Sequence, residues 1–252
     1  MDSIEKSACV IIPARYASTR FPGKPLVRLL GKSMILWVAE LSAKAVGVEH
    51  VFVATDDMQI ARAVEEAGYS VLMTSSEAQT GTDRVAEAAF QIDYDIYVNV
   101  QGDEPLVSPA DIIACIKLKS ANPDKVINGF TFMSMQEDPT SVNIPKVICN
   151  ESGIMVYMSR TRLPATKVPE NSPKRYMKQV CIYGFSKLEL QTYSQFGRKS
   201  ILENYEDIEI LRFLEIGRPV LMYECQPGSL AVDVPSDVQL VEEALSLLTP
   251  NV

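Results

Sequence analysis

Cys9-Val10-Ile11-Ile12-Pro13-Ala14-Arg15-Tyr16-Ala17-Ser18-Thr19-Arg20-Phe21-Pro22-Gly23-Lys24-Pro25 decides how the chain is read. Ala8 to Ile12 is short, apolar and β-branched and is closed by Pro13, which predicts a buried strand. The dozen residues that follow hold Pro13, Pro22, Gly23 and Pro25, which break regular structure, and Ser18 and Thr19, which favour turns. Arg15, Arg20 and Lys24 share this one loop at spacings of five and four. A loop at the carboxyl end of a first strand, with free backbone N–H groups and converging cations, suits a polyphosphate. A solvated basic surface loop is the other reading of the same residues. Gly31-Lys32-Ser33 copies the tail of a Walker A loop, but that motif needs glycine at position 26, where Leu26 stands.

Outward from this stretch, apolar runs alternate with helical spacing. Met34 to Val46 is expected as a helix, with Ser33 as N-cap and Gly47 as stop. Val51 to Ala54 reads as a second strand, ending at Thr55-Asp56-Asp57. Ile60 to Ala67 reads as a helix and Tyr69 to Met73 as a third strand. Thr74 to Gly81 is a polar turn, with Thr82 capping a helix to about Gln91. Asp95 to Val100 is a fourth strand, and Gln101-Gly102-Asp103-Glu104-Pro105 follows at once. Pro109 opens a helix over Ala110 to Ser120. This alternation predicts an α/β fold, a mostly parallel sheet with helices on both faces, which binds ligands outside the carboxyl ends of its strands. Four polar or glycine-bearing segments fall at that edge: 13–25, 54–57, 74–84 and 101–105.

From 126 to 185 the pattern turns to strands: Val126 to Met133, Pro145 to Cys149, Ile154 to Ser159 and Gln179 to Phe185. Pro164 to Arg175, rich in Pro and Lys, is expected as an exposed, mobile loop. Helices are expected over Leu188 to Phe196 and Glu203 to Ile216, then a strand over Pro219 to Glu224 and a closing helix over Asp237 to Leu248. The whole of 1–252 reads as one domain, with 126–216 as a strand-rich insertion that serves the acceptor site and offers a dimer surface.

Hydrophobic content of 47% with 22% charged residues is that of a globular protein, and the net charge of −8 argues against nucleic-acid or anionic-membrane partners. An anionic substrate must then be met by local cations, which makes the basic loop informative. Five scattered cysteines without C-x-x-C spacing suit a reducing compartment, and neither a signal-like start nor a membrane-length apolar run is seen, so a cytoplasmic protein is expected. His50 is the only histidine, and its place before a strand reads as a turn residue.

Asp103 emerges from strand 96–100 at the ligand edge, and Asp233 ends the run Ala231-Val232 before Pro235. Two carboxylates delivered into one crevice suit Mg²⁺, which takes a few carboxylates together with phosphate oxygens and water. With Arg15, Arg20 and Lys24 opposite, the set fits metal-assisted chemistry on a nucleoside triphosphate. The alternative is that Asp103 and Asp233 are turn or helix-cap residues. Asp56 and Asp57 fit either a nucleoside contact or the first turn of the next helix, with structure favoured for Asp57.

Ile12-Pro13-Ala14-Arg15-Tyr16-Ala17-Ser18-Thr19-Arg20-Phe21-Pro22-Gly23-Lys24-Pro25-Leu26 resembles the signature loop of the 3-deoxy-manno-octulosonate (Kdo) cytidylyltransferases. The likeness continues through 53–57, 73–75, 81–84, Asn99-Val100-Gln101-Gly102-Asp103-Glu104-Pro105 and Ser159-Arg160, covering nearly the whole chain. It implies a glycosyltransferase-A-like nucleotidyltransferase fold and a cytosolic homodimer. The implied reaction, CTP plus Kdo giving CMP-Kdo and pyrophosphate, serves lipopolysaccharide synthesis. By the same resemblance Arg15, Arg20, Lys24 and Asp103 are catalytic, and Asp103 and Asp233 hold Mg²⁺. Ala14, Arg15, Ser18, Lys24, Ser75, Thr82 and Gln101 contact the nucleotide, and Gln101, Arg160, Gln179, Tyr183, Glu206 and Glu209 contact the sugar. The chain departs from the family at that sugar site. Where the family has His-x-Gly-Ile-Tyr this chain has Gln179-Val180-Cys181-Ile182-Tyr183; Glu-Gln-Leu-Arg is Glu209-Ile210-Leu211-Arg212, and Val-Asp-Thr-Pro is Val232-Asp233-Val234-Pro235. Polar partners changed at a sugar site change which hydroxyl or amine is satisfied there. The acceptor is therefore expected to be Kdo, 8-amino-Kdo or another acidic ulosonate, the alternatives being a CMP-sialate-type synthetase or a sugar-1-phosphate nucleotidyltransferase.

Overall fold

The computed structural model describes residues 6–17 and 21–248. In chain order the elements are β1 (Ala8–Ala14), the small hairpin β2 (Arg28–Leu29) and β3 (Lys32–Ser33), α1 (Met34–Val46), β4 (Val51–Thr55), α2 (Met58–Glu66) and β5 (Ser70–Met73). They continue with α3 (Gly81–Ala89), β6 (Ile96–Val100), α4 (Pro109–Ala121), β7 (Val126–Phe132), β8 (Lys146–Cys149), β9 (Met155–Ser159) and β10 (Met177–Phe185). The last are α5 (Lys187–Gln195), α6 (Ile201–Glu206), α7 (Leu211–Ile216), β11 (Val220–Glu224) and α8 (Asp237–Leu248).

Among the described residues one nine-stranded sheet carries the fold, in the order β11-β7-β10-β6-β1-β4-β5, with β8 on β10 and β9 on β8. Along the main path β10 alone runs against its neighbours: it is antiparallel to β6 and β7, while the β1–β4, β1–β6, β4–β5 and β7–β11 pairs are parallel. This reversal matters for the site. It brings the beginning of β10, with Gln179, to the same edge as the carboxyl ends of β1 and β6. Strands β7 and β10 are thus integral to the main sheet, and β8 and β9 extend it from β10 as a hairpin, with Val147, Met155 and Met158 buried in the core.

Both faces are covered, as the alternating apolar runs require. One face packs Val10, Ile12, Val53 and Val98 under α1, α2 and α4, with Val38, Ile60 and Ile112 fully buried. The other packs Ile11, Tyr97 and Phe185 under α3, α5 and α7, where Phe185 and Phe213 stack at 5.5 Å between ring centroids. A third cluster binds α8 to the β2–β3 hairpin through Leu29, Trp37, Val232, Val241 and Leu245. It pins Val232 beside the ligand edge, and Trp37 donates its indole N–H to the Leu29 carbonyl at 2.9 Å.

Several local expectations need correction. β1 runs through Pro13, because its ladder to β6 ends at Ile11↔Asn99 and only β4 flanks the strand beyond it; there a missing N–H is tolerated. The α3 cap is Thr80, whose hydroxyl accepts from the Asp83 N–H, rather than Thr82. The single helix expected over 203–216 is two, because Asp207 ends α6 in a left-handed conformation (φ 50°). The capping box of Ser200 and Glu203 starts α6 two residues earlier than periodicity implies. Asp57 caps α2, accepting from Gln59 and Ile60 N–H, in keeping with its structural reading.

Candidate active site

The first-strand loop turns back on itself: Gly23, at φ 68°, donates its N–H to the Tyr16 carbonyl at 3.0 Å, and Leu26 donates to Gly23 at 2.9 Å. Glycine meets that left-handed turn at no steric cost. The turn carries Lys24 inward, onto the loop after β6. Its Nζ lies 2.6 Å from Asp103 Oδ2 and 3.7 Å from Asp233 Oδ1. One ammonium therefore reaches two carboxylates 130 positions apart in the chain. The Asp233 segment is tied to the Asp103 loop by the Val232 N–H donating to the Asp103 carbonyl at 3.0 Å and by the Ser229 hydroxyl bonded to the buried Glu104 carboxylate.

Two cavities, of about 620 Å³ and 260 Å³, meet at this point. Arg15, Gly81, Gln101, Asp103 and Asp233 line both. The smaller reaches Ala14, Lys24 and Arg84 at the ends of β1 and α3; the larger opens between β10 and the turn from α6 to α7. Gly102 keeps the floor thin, since a Cβ there would stand 2.9 Å from the Pro13 carbonyl oxygen.

The expected site residues divide. Ala14, Arg15, Lys24, Gln101, Asp103, Arg160, Gln179, Tyr183, Glu209 and Asp233 all line one or both cavities. Arg20 and Ser18 lie outside the described residues. Ser75 lines neither cavity: its hydroxyl accepts from Glu77 N–H and its own N–H donates to Glu87. Thr82 is buried, and its N–H donates to Glu209 Oε2 at 2.9 Å. Glu206 holds Ser159 Oγ and the Arg160 N–H. The Arg160 guanidinium in turn donates to the carbonyls of Val142, Glu206 and Asp207, fastening the rim of the larger cavity. Ile210, where the family carries a polar residue, is 1% exposed and belongs to the core. The lost amide thus faces no cavity.

Residues not singled out from sequence also shape the site. Glu104 follows Asp103 directly, and its burial raises its pKa. Asn128 interrupts the apolar run of β7, which was a signal in itself, because a buried polar side chain in a central strand must find partners. Arg212 is buried against Asp83 and Glu203, bracing the start of α3.

Glu209 links the two halves. It accepts from Gln101 Nε2 at 2.8 Å and from the Thr82 N–H, and burial pushes its carboxyl pKa up to about 7 against the Thr82 bond, which lowers it. A carboxyl whose folded pKa exceeds its unfolded value binds its proton more tightly when folded, so its contribution to stability falls as the pH rises from near 4.5 to about 7. Glu209→Gln is expected to flatten the melting-temperature profile across that window relative to the parent. An unchanged slope would remove Glu209 as its source.

For a divalent cation, the donors are two carboxylates facing one point that a cation already reaches. Among the described residues no group of three or more His, Cys, Asp or Glu is placed to hold a metal. A two-carboxylate set fits Mg²⁺ that completes its shell with phosphate oxygens and water, and does not fit a structural zinc. No helix among the described residues is long and apolar enough to cross a membrane.

A cytidylyltransferase family profile matches residues 9–222. The chain is 43% identical over 248 residues to a 3-deoxy-manno-octulosonate cytidylyltransferase of Geobacter metallireducens, covering 94% of this chain and 96% of that one. It is 36% identical over 248 residues to an 8-amino-3,8-dideoxy-manno-octulosonate cytidylyltransferase of Shewanella baltica, covering 94% and 98%. A solved structure of CMP:2-keto-3-deoxy-manno-octonic acid synthetase complexed with CTP superposes with a TM-score of 0.88 at 34% identity, over 96% of this chain and 99% of that one.

Proposed function

Because this chain belongs to the cytidylyltransferase family, we propose that it joins CTP to a 3-deoxy-ulosonic acid, Kdo or a close analogue such as 8-amino-Kdo, releasing pyrophosphate. The observation that carries this reading is the single ammonium of Lys24 reaching both Asp103 and Asp233 where the two cavities meet. The smaller cavity, walled by the first-strand loop and the start of α3, takes the nucleotide; the larger takes the sugar acid.

In this reading the sugar's anomeric hydroxyl attacks the α-phosphorus; a new P–O bond forms and the bond to the leaving pyrophosphate breaks. Arg15, Arg20 and Lys24 balance the charge that grows on the departing phosphates. Asp103 and Asp233 would hold Mg²⁺, which when bound supplies charge neutralisation and orientation of the phosphates. Gln101, fixed by Glu209, lines both cavities and so orients the two substrates toward one another. The histidine-free lining needs no imidazole base.

Pyrophosphate release from CTP, assayed with Kdo, 8-amino-Kdo and a sialic acid, tests the assignment; inactivity with all three removes it. Asp103→Asn is expected to abolish Mg²⁺-dependent release with the fold intact by circular dichroism, and full retention of turnover would rule out the metal role. The proposal extends to a cytosolic homodimer serving lipopolysaccharide synthesis, with the exposed side of the β8–β9 hairpin as the contact surface; Val156, 54% exposed on β9, supports it. Light scattering that reports only monomer removes the dimer.

A further inference from the structure

One of the positions where this chain departs from its family, Gln179, is held in one orientation by its neighbours. β10 carries an irregularity between Val180 and Tyr183 against β7. There the fully buried Asn128 turns its amide nitrogen onto two β10 carbonyls, Val180 at 3.0 Å and Ile182 at 2.9 Å. With both amide protons spent on carbonyls, the Asn128 side chain offers only its oxygen to Gln179, which donates from Nε2 at 3.1 Å. The same Nε2 donates to the Tyr183 hydroxyl at 3.2 Å. A primary amide has two donor protons and one acceptor oxygen. Both protons of Gln179 point inward, so the group it has for the larger cavity, which it lines, is its oxygen.

The surroundings share that preference. The carboxyl groups of Glu104 and Glu209 line the same cavity. Apart from Arg15, which lines both cavities, the cations of this wall have oxygen partners: Lys178 is bonded to Glu137, Lys199 lies 2.9 Å from Asp207, and Arg160 spans three carbonyls. A substrate group that donates is satisfied here, whereas one that only accepts meets oxygen against oxygen.

We propose that Asn128 and Tyr183 lock the Gln179 carboxamide with its oxygen toward the sugar, making Gln179 a specificity determinant that selects an ulosonate carrying an amino group over its hydroxyl counterpart. The hydroxyl can donate one bond, whereas an ammonium donates up to three, each of them charge-assisted. The inference rests on the cytidylyl-transfer reading above.

The test compares kcat/KM for 8-amino-3,8-dideoxy-manno-octulosonate and for Kdo, with CTP saturating, in the parent and in Gln179→Met, which keeps the side chain's length and removes its oxygen. The parent is expected to prefer the amino acid by about 10-fold or more, and Gln179→Met to lose about 10-fold of that ratio through the KM of the amino sugar, with the KM for CTP unmoved. Tyr183→Phe, which frees one inward proton, shifts the ratio in the same direction by less. A disturbance of packing alone would lower turnover of both acids together and leave the ratio unchanged. Equal use of the two acids by the parent, or a ratio that Gln179→Met leaves alone, overturns the inference while cytidylyl transfer stands. Failure of both acids to release pyrophosphate overturns the transfer reading and this inference with it.

Discussion

Lys24→Met is expected to lower kcat by about 10²- to 10³-fold, the range found when one preorganised group facing developing charge is removed from an active site. The side chain is 15% exposed and spans Asp103 and Asp233, so it serves two purposes. Without substrates it neutralises two carboxylates that face one point; in the proposed reaction the same ammonium balances the charge of the triphosphate. Removing it leaves the two carboxylates without the ammonium that bridges them, so their mutual repulsion grows. Two consequences follow in opposite directions. Turnover collapses, and the substituted protein gains more from a divalent cation than its parent does, because the ion replaces what the lysine supplied. Melting temperatures with and without Mg²⁺ read the second effect independently of activity. If Mg²⁺ raises the melting temperature of both proteins equally, Lys24 does not occupy the cation's position; if kcat falls by less than about tenfold, it is not part of the charge-balancing set.

That convergence was only half visible in the chain. The first-strand loop announced itself, because three prolines, a glycine and three cations in one short run cannot be an ordinary helix or strand. The alternation of β-branched runs with helical spacing carried the parallel sheet equally well, since each buried strand must be continuous and apolar. Register across the sheet was not legible. Nothing in the composition of Met177–Phe185 says that it lies between β6 and β7 and runs against both, yet that reversal brings Gln179 to the ligand edge. The break at Asp207 was hidden for a related reason: a left-handed residue without glycine is held by tertiary bonds, here the Lys199 ammonium on its carboxylate and the Arg160 guanidinium on its carbonyl. The family resemblance pointed to Ser75 and Thr82 as nucleotide contacts; in the structure the Ser75 hydroxyl accepts from the Glu77 N–H and the Thr82 N–H donates to the Glu209 carboxylate. Ser, Thr and Asp near a helix start serve capping and binding alike, and only geometry separates the two.

Arg212 carries the largest expected loss of stability. Its guanidinium is 1% exposed and donates from Nε and Nη2 to the two oxygens of Glu203, each at 2.7 Å, and from Nη1 and Nη2 to Asp83 at 2.7 and 3.2 Å. Its Cζ also stands 3.7 Å over the ring of Tyr193. The carboxylates raise its pKa further above the ordinary arginine value, against burial, the largest single influence, which lowers it. Arg212→Met is expected to cost roughly 3–5 kcal/mol in urea unfolding, because Glu203, itself 1% exposed, is left as a buried charge without its partner. Arg212→Lys keeps the charge but not the planar fork, so it falls between the two. The sharper comparison is the pair Arg212→Met with Glu203→Gln. If the penalty is an orphaned carboxylate, the double substitution is less damaging than Arg212→Met alone; if it is lost volume, the two losses add. Activity follows, since Asp83 also accepts from the Thr80 hydroxyl at 2.8 Å and so fixes the α3 turn that lines both cavities. The KM for CTP is expected to rise even at temperatures where Arg212→Met remains folded. A loss below about 1 kcal/mol, the worth of an exposed ion pair, would mean that water already reaches this network.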